Sequence, residues 1–212
     1  MSTRTLVPVI ARLAAAALCL AVTVGCGGDL LRTGRAPVYL TISRIQAHNG
    51  ALDETTDPPL FSDVITLVDR QVNGENVKVP VIFGDTGAAT IRVTMKNPSL
   101  ESSTLNAVTI NRYRVTFRRA DGHNTPGVDV PYGFDGTTSV TIQEGAEAGV
   151  IFDLARVSAK EEPPLRNLVR GGGQVFIYTI AEVTFFGRDQ NGNEVVVTGS
   201  LSVNFSDYAD PE

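Results

Sequence analysis

From residue 38 onward, apolar and polar side chains alternate with a period of two in one segment after another. This is the spacing of a β-strand with one buried face, because successive side chains of a strand point to opposite sides of the sheet. The pattern predicts strands over residues 38–42, 64–68, 77–83, 91–95, 113–117, 140–142, 150–154, 175–186 and 195–205. Pro80 interrupts the third segment and indicates an edge strand or a bulge, since proline cannot donate to a ladder.

The last two segments predict a β-hairpin. Asn191 and Gly192 lie between them, and both residue types tolerate the positive φ of a tight turn. Beyond the turn, Leu201, Val203 and Phe205 alternate with polar residues, which is typical of an antiparallel sheet packed on one side. Eight or nine such strands predict an all-β, antiparallel, immunoglobulin-like β-sandwich, with one short helix at most, within residues 153–169.

The N-terminal stretch has a different pattern. Arg4 and Arg12 are the only charged residues before Asp29, and residues 13–24 are apolar apart from Thr23. A basic start, an apolar run and a small-residue exit predict a cleaved, helical signal peptide over residues 1–25. The run is shorter than the roughly 20 residues that a membrane-spanning helix needs.

The exit of this segment, residues 22–26, has the sequence VTVGC and resembles the lipobox of bacterial lipoproteins. The resemblance implies diacylglyceryl transfer to the Cys26 sulfur, cleavage before Cys26 by signal peptidase II, and acylation of the new amino group. The protein would then be bound to a membrane through its lipid. Thr23 stands where such boxes usually have leucine. The resemblance also implies that an aspartate in place of Gly27 would favour the inner membrane, so in an organism with two membranes the periplasmic face of the outer membrane is expected rather than the inner membrane.

Cysteine and charge counts add to this picture. Cys19 would leave with the signal peptide, so the mature chain would keep Cys26 alone and form no disulfide framework. Lipidation gives Cys26 a role, and two or three acyl chains make a stable anchor. The formal net charge of −5 argues against a nucleic-acid partner. We expect a tether over residues 26–36 and a single sandwich domain over residues 37–212.

Residues that could carry chemistry are few. The chain has two histidines, no Gly-x-Ser-x-Gly motif and no usable thiol pair, so we predict no catalytic residue, no metal site and no cofactor. His48 is expected on the surface at a strand end. Asp189, Asn191 and Asn193 have the spacing that begins a calcium loop, but Glu194 occupies the position of the required glycine. A hairpin turn explains them better.

A polar loop region offers the best candidate for ligand binding, because it places carboxylates near an imidazole. The alternative is that these residues only form turns. The candidate residues are Asp121, His123, Asn124, Asp129, Tyr132 and Asp135.

Three arginines form a second candidate surface. Arg112, Arg114 and Arg118 alternate along one predicted strand and would share its solvent-exposed face. They could meet anionic lipid headgroups or an acidic partner, or they could pair with acidic residues of a neighbouring strand.

The segments TIRVTMKNP at 90–98 and NRYRVTF at 111–117 resemble the strand–Asn-Pro–strand pattern of WHy domains of late-embryogenesis-type proteins. Those domains are immunoglobulin-like sandwiches, so the resemblance supports the fold only. The sequence thus favours a lipid-anchored, non-enzymatic binding or assembly module of the cell envelope with a protein partner there. The alternative is a hydrolase or ion-dependent enzyme that uses the loops of residues 121–135.

Overall fold

The computed structural model describes residues 34–101, 103–171 and 175–208. The predicted signal peptide, Cys26 and the tether up to residue 33 lie outside these ranges. In the described chain, strands dominate and one short α-helix is present. The elements are β1 (Val38–Asn49), β2 (Glu54–Thr56), β3 (Leu60–Asp63), β4 (Thr66–Val72), β5 (Glu75–Val81), β6 (Asp85–Met95), β7 (Val108–Arg118), β8 (Phe134–Ile142), β9 (Glu147–Ala155), α1 (Val157–Glu161), β10 (Phe176–Asp189) and β11 (Glu194–Ser206).

The strands form two main sheets and a separate hairpin. The first sheet has the order β2-β1-β6-β9 and the second has the order β3-β11-β10-β7-β8, while among the described strands β4 pairs with β5 alone. The predicted all-β sandwich is confirmed. The antiparallel prediction is wrong at one strand, because β3 pairs parallel with β11. No hairpin connects these two strands, so no turn imposes the antiparallel direction on them.

Inward-facing side chains of both sheets build one hydrophobic core. At its centre, Phe152 of the first sheet meets Phe185 of the second edge-on, with ring centroids 5.4 Å apart. The hydroxyl of Tyr113 in β7 accepts a hydrogen bond from the Asp153 backbone N–H in β9 at 3.0 Å, across the two layers. Ala36, placed in the predicted tether, is buried in the same core.

The predicted hairpin between β10 and β11 is confirmed. The buried Asp189 carboxylate accepts hydrogen bonds from the backbone N–H groups of Asn191 and Asn193 at 3.0 and 2.8 Å. It also accepts one from the Asn193 side chain at 2.8 Å. Gly192 has a φ of 82°, which its lack of a Cβ permits. The aspartate and asparagines therefore close a turn.

Other sequence predictions differ from the structure in detail. β1 runs on to Asn49 because a register shift after Ile42 lets pairing continue past the predicted end. β2 and β3 were not predicted, since three or four residues carry too little alternation. Pro80 lies in β5, which within the described ranges forms a two-stranded sheet with β4, so the edge prediction is confirmed. α1 lies within the predicted helical region, and a 3-10 segment (Leu165–Gly171) begins there.

Candidate functional site

Polar side chains are buried at the end of the sandwich where β1, β3, β9 and β11 finish and β6 begins. The side chains of Asp85, at the start of β6, and of Lys160, in α1, are both fully buried, and Lys160 Nζ lies 2.8 Å from Asp85 Oδ2. The Ser62 hydroxyl donates to Asp85 Oδ2 at 2.6 Å, and the Gly50 backbone N–H donates to Oδ1 at 3.1 Å. We call Gly50, Ser62, Asp85 and Lys160 the Asp85 cluster.

The backbone at Gly50 explains how this N–H reaches the carboxylate. A Cβ at this position would lie 2.0 Å from the carbonyl oxygen of Gly84, so any other residue would push the β1–β2 turn away from β6. The close approach of the two chain segments therefore requires glycine here.

Asp63, the last residue of β3, connects the cluster to the C-terminal end of β11. Its backbone carbonyl accepts a hydrogen bond from Lys160 Nζ at 2.8 Å. Its carboxylate accepts one from the Thr66 hydroxyl at 2.7 Å and one from the Tyr208 backbone N–H at 3.1 Å. Burial raises the pKa of this carboxyl above its ordinary value of 3.8, although the two hydrogen bonds oppose the rise.

An apolar cavity of about 340 Å³ opens beside Asp63. The side chains of Leu52 and Phe61 are half exposed along it, at 56% and 53%. The Tyr208 ring meets Phe61 edge-on at 5.9 Å, and burial, followed by the neighbouring Asp63 charge, raises the pKa of the tyrosine hydroxyl to about 12. We call this the Phe61 cavity; its lining consists of Asn49, Ala51, Leu52, Phe61, Asp63, Thr66 and Tyr208.

Asn49 sets the shape of the cavity wall. Its side-chain N–H donates to the Phe61 carbonyl at 2.7 Å, and its side-chain oxygen accepts from the backbone N–H groups of Ala51 and Leu52 at 2.9 and 3.2 Å. These hydrogen bonds pair the polar groups of the wall with one another, while apolar atoms face the opening of the cavity. This arrangement suits binding of an apolar group better than it suits reaction chemistry.

Sequence reasoning missed both the Asp85 cluster and the Phe61 cavity. Their residues come from the end of β1, the β1–β2 turn, β3, β4, β6, α1 and the segment after β11, which together extend over most of the described chain. No spacing motif connects them. The isolated lysine of α1, between Ala159 and Glu161, has no feature in the sequence that signals burial.

In the predicted ligand loop, Asp121, Asn124 and Asp129 form hydrogen bonds with other residues of the same loop. The Asp121 carboxylate contacts the Arg119 guanidinium and accepts from the His123 N–H at 3.1 Å. The Asn124 side-chain oxygen accepts from the Arg119 N–H at 2.6 Å, and Asp129 accepts from the Thr125 N–H at 2.9 Å. These contacts are those of a loop that folds on itself.

The charges of this loop follow from the same contacts. The hydrogen bond from Arg119 lowers the pKa of Asp121, and the backbone hydrogen bond from Thr125 lowers that of Asp129. His123 Nδ1 lies 3.6 Å from Asp121 Oδ2, and its side chain is mostly exposed. The ring of Tyr132 is more than half exposed. None of the candidate loop residues lines the Phe61 cavity.

Asp135 lies in β8 rather than in the loop, and it faces the arginines of β7. Its carboxylate makes a two-point contact with Arg114 at 2.7 and 2.9 Å, and this hydrogen bonding lowers the pKa of Asp135 and raises that of Arg114. Arg112 lies 3.7 Å from the same carboxylate and places its guanidinium over the Phe186 ring at 4.0 Å.

The third arginine of the predicted stripe, Arg118, contacts Glu182 of β10 at 2.5 Å. Each arginine of the face thus has a carboxylate on a neighbouring strand. Exposed ion pairs of this kind contribute little to stability, about 0–1 kcal/mol each. The interaction of this face with headgroups or an acidic partner stays a prediction.

The side chain of His48, in β1, contacts residues of the β1–β2 turn and of β2. Its Nδ1 lies 3.1 Å from the Thr55 hydroxyl and its Nε2 lies 3.2 Å from the exposed Asp53 carboxylate. Over the described ranges, no group of three His, Cys, Asp or Glu side chains is arranged to hold a metal ion. In the same part of the chain, no helix has the length and apolar character required to cross a membrane.

Comparisons with protein-family models, curated proteins and solved structures gave no match to this chain. The resemblances of residues 22–26 to a lipobox and of residues 90–117 to WHy domains therefore stay predictions. No function is transferred to the chain from a relative.

Proposed function

We propose that this protein is a lipoprotein of the cell envelope that binds a partner without catalysing a reaction. The anchor would be acyl chains on Cys26 after removal of residues 1–25. Support comes from the basic, apolar and small-residue order of the N-terminal segment and from the absence of any other cysteine after it. Gly27 after the cysteine favours the periplasmic face of the outer membrane.

The binding role rests on the Phe61 cavity. Leu52 and Phe61 leave large apolar surfaces exposed around a concave site of about 340 Å³, within the usual size range of a small binding pocket. The occupant that fits this lining is an apolar group, such as an aromatic or branched aliphatic side chain of an envelope protein. Burial of that group would remove apolar surface of both partners from water.

The anchor is tested by comparing Cys26→Ser with Cys19→Ser in cells labelled with a palmitate analogue. We expect label and membrane retention to be lost in Cys26→Ser and kept in Cys19→Ser, because Cys19 lies in the segment that would be removed. If Cys26→Ser protein stays labelled and bound to membranes, the anchor proposal is wrong.

The binding surface is tested by placing a photo-crosslinking amino acid at Leu52 or at Val128 in intact cells. Both side chains are well exposed, at 56% and 68%, but Val128 lies in the loop between Asp121 and Asp135. A partner captured from Leu52 and not from Val128 supports the proposal. Capture from Val128 alone would favour the loop as the site, and capture from neither would contradict a binding role for either surface.

A further inference from the structure

The Asp85 cluster holds an amine and a carboxyl group in contact where water is excluded. The side chains of Lys160 and Asp85 are both fully buried, and the distance from Nζ to Oδ2 is 2.8 Å. Lys160 belongs to α1 and Asp85 to β6, so the contact joins two segments that are distant in the chain. A buried ion pair has a large desolvation cost, which amide formation would remove.

Neighbouring groups fix both partners. Lys160 Nζ also donates to the Asp63 carbonyl at 2.8 Å. The Asp85 carboxyl is held by the Gly50 N–H on Oδ1 at 3.1 Å and by the Ser62 hydroxyl on Oδ2 at 2.6 Å. Reacting groups held in this way can reach effective molarities of about 10⁵–10⁸ M, which favours condensation even though amides hydrolyse in dilute water.

We propose that Lys160 and Asp85 condense to form an intramolecular isopeptide bond. A proton passes from Nζ to Oδ2, which leaves a neutral amine and a carboxylic acid. The Nζ lone pair then attacks Cγ of Asp85, the C–N bond forms, and the Cγ–Oδ2 bond breaks. Oδ2 leaves as water with two of the three ammonium protons, and the third stays on the amide nitrogen. The ion pair supplies every atom of both products, so no oxidant, reductant or co-reactant is needed.

The two donors on the carboxyl have different roles in this step. The Gly50 N–H points at Oδ1, where negative charge develops in the tetrahedral intermediate, and a backbone donor placed there stabilises it. The Ser62 hydroxyl contacts Oδ2, the oxygen that leaves, and can relay an ammonium proton to it, giving up its own proton to Oδ2 and taking one from Nζ in exchange. Ser62 is therefore a positioning and proton-transfer residue of the reaction.

In this proposal the released water would leave through a second cavity. It has a volume of about 470 Å³ and lies beside Lys160, between α1 and the base of the β4–β5 hairpin. Its other lining residues are Ile65, Ile82, Glu161, Arg166 and Val169. Loss of the water to this space leaves the amide in a site that excludes solvent, which protects it from hydrolysis.

The bond would tie α1 to the first residue of β6 and so brace one end of the sandwich. A covalent connection of this type restricts the unfolded chain as a disulfide does. The sequence contains only Cys19 and Cys26, both ahead of the sandwich, so no disulfide could serve this purpose within it.

Tryptic mapping of the full-length folded protein tests the proposal directly. Trypsin cleaves after unmodified lysine, so an unlinked chain gives the peptides 79–92, 157–160 and 161–166. The linked chain resists cleavage at Lys160 and gives one branched species of 79–92 joined to 157–166. Its mass is lower by one water than the sum of those two peptides. Recovery of 157–160 and 161–166 in full, with no branched species, would overturn the proposal.

Two variants sharpen the result. Lys160→Arg keeps a cation opposite Asp85 but removes the amine, and we expect complete loss of the branched species. Ser62→Ala keeps the amine and the acid but removes the donor to Oδ2, and we expect a lower linked fraction at equal times after synthesis. If either variant fails to fold, the peptide map of the unchanged protein still shows whether the isopeptide bond is present. A branched species that persists in Lys160→Arg would show that another bond is responsible, and it would refute the assignment.

Discussion

The contact between Phe152 and Phe185 gives a direct measure of whether the two sheets pack as one sandwich. Phe185 is fully buried in β10 and Phe152 is 2% exposed in β9, and their rings meet edge-on at 5.4 Å. Phe185→Ala removes a large side chain from a site walled by both sheets. We expect the free energy of unfolding to fall by about 3–5 kcal/mol, the usual cost of this change in a core.

Urea denaturation at neutral pH provides the measurement, and Phe176→Ala provides the matched control. Phe176 lies on the same strand as Phe185 but is 56% exposed, so its loss should change the free energy of unfolding by no more than about 0.5 kcal/mol. Both substitutions replace phenylalanine by alanine on the same strand. The difference between their changes in the free energy of unfolding therefore measures the effect of burial rather than of strand propensity.

A double-mutant cycle isolates the contact between the sheets. Phe152→Ala, Phe185→Ala and the double variant should give a coupling of about 0.5–1.5 kcal/mol, typical of an edge-to-face pair. The sandwich arrangement would be refuted by a Phe185→Ala cost no larger than that of Phe176→Ala, together with a coupling near zero.

Two further predictions concern buried carboxylates. Asp63→Asn keeps an acceptor oxygen for the Tyr208 N–H and places an amide donor opposite the Thr66 hydroxyl, but it removes the charge. Burial raises the pKa of Asp63, so the carboxyl group binds its proton more tightly in the folded protein than in the unfolded chain. The stability that this protonated carboxyl contributes is present below the unfolded pKa and is lost as pH rises through the raised, folded pKa. The stability of Asp63→Asn relative to the unchanged protein should therefore increase from about pH 4 to pH 7 in urea titrations, and a constant difference would contradict the burial argument. Asp189→Ala removes the acceptor of the β10–β11 turn and should lower the free energy of unfolding by about 1–3 kcal/mol, whereas Asp69→Ala on the exposed hairpin should have little effect. Equal effects of the two changes would show that the turn contacts do not contribute.

The lipid anchor and the isopeptide bond can fail independently. Cys26→Ser tests where the protein resides, and it leaves Lys160 and Asp85 unchanged. The peptide map tests the bond in the folded sandwich whether or not Cys26 carries lipid. A protein with both features would be attached to a membrane at its N-terminus and braced covalently at one end of the domain.

The long strands could be predicted from the sequence because their burial pattern is local. Leu201, Val203 and Phe205 are buried while the residues between them are not, as their alternation indicates. The Asp189 turn could also be predicted from the sequence, because its hydrogen bonds stay within five residues. The turn alternative for the loop at Asp121 also came from the sequence, because those contacts are between near neighbours.

The candidate site could not be predicted in this way. Lys160 is a lysine in a polar segment, and its side chain is buried where α1 brings it against Asp63 of β3 and Asp85 of β6. Ser62 and Asp85 meet because the parallel pairing of β3 with β11 carries the end of β3 to the start of β6. The sequence alone determined which residues alternate, and hence that the chain forms a β-sandwich. The export signal at the N-terminus stays a prediction. The tertiary structure alone decided which distant polar groups share one dry site, because that depends on sheet order and not on spacing along the chain.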